Sequence, residues 1–151
     1  MDELLDRFQE IRTEFIDVLQ QIPASKRTER LFNQWCLKDV VAHLAGWDRY
    51  FVDIADALEA GEEPAYWGSM AKFNAASVEK RKDQPWDSVF AEFVTNGEAF
   101  IQRCMQIPAS MWAARFWNHK SITPVQMLEI NIHHYEKDHL VKVKKILARF
   151  Q

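Results

Sequence analysis

The chain has 151 residues, of which 48% are hydrophobic and 27% charged, and these proportions fit one globular domain spanning 1–151 rather than a disordered tail. Four Gly and five Pro are too few for the many turns of a sandwich or barrel, so an all-β fold is excluded. The formal net charge of −3 argues against nucleic acid as a partner, and no apolar run reaches the roughly 20 residues of a membrane span.

The N-terminal segment MDELLDRFQE is charged from its second residue and does not read as a signal peptide. Two cysteines, Cys36 and Cys104, make no disulfide scaffold and suit a reducing cytoplasm. Leu4, Phe8, Ile11, Phe15, Val18 and Ile22 recur at steps of three and four, the stripe of an amphipathic helix that Pro23 ends. A second helix is expected over 37–60, with Val40, Leu44, Trp47, Phe51, Ile54 and Leu58 in line and Gly61 as terminator. A short helix over 70–82 follows Ser69 as N-cap, and its charge run from Glu79 to Asp83 reads as a solvated face.

The third long helix, over 86–106, aligns Phe90, Phe93, Gly97, Phe100 and Cys104; Gly97 there suggests a close approach, and Cys104 belongs to the core. Thr123-Pro124-Val125-Gln126 forms a capping box with proline at the first helical position, and a last helix runs from it to the C-terminus. Its stripe is Leu128, Ile132, Tyr135, His139, Val143, Ile146 and Phe150. These elements predict an all-α, four-helix bundle. The connection from Gly61 to Pro85 far exceeds the about 2–8 residues that join antiparallel neighbours, which favours an up-down-down-up order with the short helix in the crossover. The pentapeptide QIPAS closes two of the long helices, at 21–25 and 106–110, and reads either as a trace of two similar halves or as a shared terminal signal.

Histidines on the stripes draw attention, because a buried ring without partners costs about 1–3 kcal/mol. His43 edges the stripe of the second helix and His139 lies on that of the last. At about 1.5 Å per residue, His43 stands roughly 11 Å from the start of its helix and His139 roughly 16 Å from the end of the chain. These depths match if the two helices are antiparallel; if they are parallel, His134 matches His43 better. Metal coordination would satisfy such rings, as would bonding to a hydroxyl or carboxylate. His133 reads as a rim residue and His119 as a loop residue. Trp35, Trp47, Trp112 and Trp117 sit near helix ends and loops, where they either wall a pocket or simply pack. Cys36 opens the second helix, whose dipole would lower a thiol's pKa, but the position reads more simply as a plain helix start than as a reactive thiol.

The stretch from Trp35 to Asp48, WCLKDVVAHLAGWD, resembles the second-helix signature W-x-x-K-D-x-x-x-H-x-x-x-W of the DinB-like superfamily. Lys72-Phe73-Asn74-Ala75-Ala76 with Glu79-Lys80-Arg81 resembles the crossover of its DfsB/ClbS-like branch, and Tyr135-Glu136-Lys137-Asp138-His139-Leu140 resembles the family's H-x-x-x-H-L. The resemblance implies an up-down-down-up four-helix bundle, a homodimer, and a divalent metal, Zn or Ni, held by one histidine of the second helix and two of the last. Carried onto this chain, the ligands are His43, Tyr135 and His139, with Trp47 as a pocket wall. Tyr135 stands where the family has its middle histidine. His134 is the rival third ligand, about 100° away on an α-helix, and would reach the same face only through a π-bulge. The implied function is a small cytoplasmic thiol transferase or hydrolase that disarms a reactive electrophile, some members of the branch working without metal. The alternative is a non-catalytic dimeric bundle with a degenerate site that binds a small molecule.

Overall fold

The computed structural model describes residues 1–31 and 34–151, and among them every extended element of regular structure is helical. The helices are α1 (Asp2–Gln21), α2 (Leu37–Glu59), α3 (Met70–Arg81), α4 (Trp86–Gln106), α5 (Pro124–His133), a π-helix (His134–Leu140) and α6 (Val141–Leu147). The helix bounds expected from the prolines and caps are thus recovered, including the short helix within the crossover. The last helix is the exception, since a π-turn of seven residues interrupts it. No described helix is long and apolar enough to cross a membrane.

Contacts divide the chain into two units, residues 1–24 with 104–151, and residues 25–103. In the first unit α1 packs against α5, the π-helix and α6. It buries Leu5, Phe8, Ile11, Phe15, Val18 and Leu19, the anticipated stripe, together with one charged residue, Arg12. Ile22 is extended, as a residue before proline must be, and the helix stops there. At the start of α5 the Thr123 hydroxyl accepts from the Gln126 amide at 3.3 Å, and the Gln126 side chain accepts from the Thr123 amide at 3.1 Å. Arg7 pairs with Glu136 at 2.7 Å, and Lys144 with Glu14, so ion pairs run along one edge of the apolar seam of α1.

In the second unit α2 packs against α3. Gly46 permits the approach: a Cβ there would stand 2.8 Å from the Ser77 Cβ and collide with its hydroxyl as well. Lys38 reaches from the first turn of α2 to the carbonyls of Lys82 and Gln84, at 2.8 and 2.9 Å, and holds the end of α3. The Ser69 hydroxyl caps α3 by accepting from the Lys72 amide at 3.3 Å. Gly61, at φ +73°, ends α2 as expected. Gly97 is buried.

The charged run at the end of α3 is only partly a solvated face. Arg81 is 4% exposed and donates two hydrogen bonds to Glu92 of α4, at 2.6 and 2.8 Å, and a third to the Ser77 carbonyl at 2.9 Å. The guanidinium is buried because a carboxylate eleven residues ahead takes it up in fork geometry. That same contact holds the Glu92 carboxyl below its ordinary value.

Candidate functional site

The first unit carries the residues of greatest chemical interest. On a regular α-helix residues five apart lie about 140° apart and cannot meet. In the π-helix, with its i→i+5 bonding, they stand one above the other. His134 and His139 consequently face each other, their Nε2 atoms 2.7 Å apart and their rings edge to face at 4.3 Å. On its other side the His134 Nδ1 meets the Asp138 carboxylate at 2.9 Å. A carboxylate only accepts, so that Nδ1 carries the proton. His139 is buried and His134 partly exposed.

Tyr135 also packs on His139, its ring edge-on at 6.2 Å. Its ring is fully buried, edge-on to Phe8 and Phe15 at 5.5 Å each, and its hydroxyl accepts from Arg12 Nη1 at 2.8 Å. Arg12, itself 4% exposed, also lies 5.7 Å above the Tyr135 ring. Phe15 contacts His139 as well, at 6.2 Å. Tyr135, foreseen as a ligand on the His139 face, thus has its oxygen on a guanidinium, while the rival His134 has its ring on His139. The condition under which His134 could serve, a π-bulge, is met.

In the second unit His43 is 2% exposed on α2, with the Trp35 ring 5.0 Å away. The buried position expected for this ring is therefore found. Trp47 belongs to an aromatic cluster with Tyr50, Phe51, Trp67 and Phe73, the nearest ring being Phe73 at 4.1 Å, and its indole N–H donates to Asn74 at 2.7 Å. It works as the packing seam between α2 and α3. Within this cluster burial pushes the Tyr50 phenol up to about 12.

At Cys36 the lowering that a helix start could bring is not found, in keeping with the plain reading of that position. The thiol is buried and donates to Asp39 at 3.2 Å, and burial pushes its pKa up, outweighing the helix dipole. Cys104 lies in the core, while His119 and His133 are exposed. Of two further residues that matter, Arg12 went unremarked in the sequence, and Asp138 was read only as a neighbour of His139 that points elsewhere. An arginine among the apolar residues of α1 was the available signal for the first. The i,i+4 spacing to His134 was the signal for the second.

The family model of the mycothiol maleylpyruvate isomerase N-terminal domain matches residues 8–136. The chain belongs to this family. Among solved structures it is similar to a mycothiol-dependent maleylpyruvate isomerase, with a TM-score of 0.82 at 12% identity over 94% of this chain. The chain spans 60% of that protein's length. It is also similar to the colibactin self-resistance protein ClbS in complex with a dsDNA, with a TM-score of 0.79 at 15% identity over 96% of this chain and 94% of that one. An uncharacterised protein from Escherichia coli UTI89 gives 0.76 at 17% identity, covering 95% and 90%. No curated protein sequence gives a significant match.

These likenesses bear out the DinB-like, ClbS-like resemblance and an all-α four-helix bundle with an added short helix. They overturn one expectation. Nucleic acid was excluded on net charge, yet ClbS, with this fold, was crystallised with a DNA duplex. A net charge is a sum over the surface and does not describe any one face of it.

Proposed function

We propose that this protein is a metal-dependent enzyme that disarms a small reactive electrophile, by transfer of a low-molecular-weight thiol or by addition of water. The family model runs through both units, which supports reading them as one domain. His134 and His139 are residues that would hold a divalent ion, with His43 as the further ligand that the family resemblance implies. The donor set fits: neutral imidazole nitrogens suit Zn and Ni, and one of the three already has a carboxylate behind it. The observation that carries this reading is the π-turn, which brings two ring nitrogens to 2.7 Å.

When bound, such an ion supplies a Lewis acid that favours the deprotonated thiol or water. The protein's own residues do the rest. His134 and His139 converge on one point, Phe15 and Tyr135 wall His139 with apolar rings, and Arg12 fixes Tyr135 through its hydroxyl. The reading includes a cytoplasmic homodimer, as the resemblance implies, and a small-molecule substrate.

Protein purified without chelator should carry metal in stoichiometric amount, measured by elemental analysis. His43→Ala should abolish uptake while helix content by circular dichroism stays intact. Unchanged uptake would refute the site, and a metal-free wild type would favour the non-catalytic binder.

A second reading is favoured by the dsDNA complex of ClbS and by exposed Lys142, Lys145 and Arg149 near the C-terminus of this chain. It expects duplex binding in a mobility-shift assay that weakens steeply with salt, and no shift at low salt would discard it.

A further inference from the structure

We infer that Asp138 is a positioning residue for His134, a role that rests on the metal reading above. The π-turn does two things to His134 at once. Its Nε2 is brought to His139, five residues on, and its Nδ1 is brought to Asp138, four residues on. The carboxylate accepts the Nδ1 proton at 2.9 Å, which leaves the lone pair on Nε2, the atom that faces His139. Without that acceptor a neutral imidazole favours the other tautomer, with its proton on Nε2, where it would block ligation.

The contact has little to offer stability. Asp138 keeps 53% and His134 34% of its side-chain surface in solvent, and a screened contact of this kind contributes little to folding. What it fixes is orientation. Imidazole metal ligands commonly donate their second N–H to a carboxylate, which sets the tautomer and the plane of the ring and makes the ligating nitrogen a better donor. Here ligand and orienting group come from a single turn, so the ring is set before any metal arrives.

Two measurements on the full chain test this. Zinc alone, titrated against a competing chelator, should bind Asp138→Ala about 10- to 100-fold more weakly than wild type. Asp138→Asn, whose amide oxygen still accepts from Nδ1–H, should recover most of the loss, and the thermal midpoints of all three should agree. Separately, long-range proton–nitrogen NMR of the metal-free protein should show His134 protonated at Nδ1 in wild type and shifted toward the Nε2–H form in Asp138→Ala. Equal zinc affinity in Asp138→Ala and wild type, or an unchanged His134 tautomer, would overturn the inference. Failure of wild type to bind zinc, with the tautomer shift present, would sink the metal reading and leave the fixing of the ring by Asp138 standing.

Discussion

Two arginines are buried to the same 4% exposure, one in each unit, and they serve different ends. Arg81 closes on Glu92 through two hydrogen bonds and joins the end of α3 to α4. Arg12 donates to a phenol, Tyr135, that stands beside two facing histidines. The first is a structural clamp: remove it and the fold loosens. The second holds in place a side chain whose ring lies 6.2 Å from that of His139. Identical residue and burial therefore do not imply identical work, and the partner decides between them.

The clamp should be the more costly to break. Arg81→Met leaves a half-buried carboxylate facing an apolar side chain, and loss of about 2–3 kcal/mol is expected in urea denaturation, discounted because Glu92 retains some solvent. The pH dependence follows with a definite sign. Glu92 has its carboxyl lowered by hydrogen bonding to Arg81, so the stabilisation is complete above the ordinary value of 4.5 and is lost as pH falls through the lower folded value. Arg81→Met should lose this part of the acid sensitivity; an unaltered acid limb of the stability curve would count against the clamp.

Tyr135→Phe should cost less, about 1–2 kcal/mol, because it takes one neutral acceptor from Arg12 and leaves the ring among Phe8 and Phe15. Its metal content should not change. A stability loss larger than that of Arg81→Met would reverse the ranking of the two arginines.

Much of the architecture was open to reading in the chain because its signals are local. Pro23, the Ser69 cap, Gly61 and the Thr123–Gln126 box each mark an end where the helix does end. His43 and His139 lie on apolar stripes and are buried, as the spacing requires. What escaped was set by partners distant in sequence or by a change of period. Arg81 looked solvated because Glu92 belongs to another helix. At Cys36 the helix start is visible in sequence, and the burial that raises the thiol's pKa is not. The π-turn over His134–Leu140 contains neither Gly nor Pro, and any stripe drawn at 3.6 residues per turn assigns Tyr135 to the His139 face and His134 away from it. Through a seven-residue change of helical register His134 meets His139 at 2.7 Å, while the Tyr135 hydroxyl accepts from Arg12.

The most direct measurement is therefore metal content of two single variants, His134→Ala and Tyr135→Phe, purified side by side without chelator. The π-turn account predicts that His134→Ala loses the ion and that Tyr135→Phe keeps it at the wild-type ratio. Retention by His134→Ala with loss from Tyr135→Phe would contradict it and return the third position to the tyrosine.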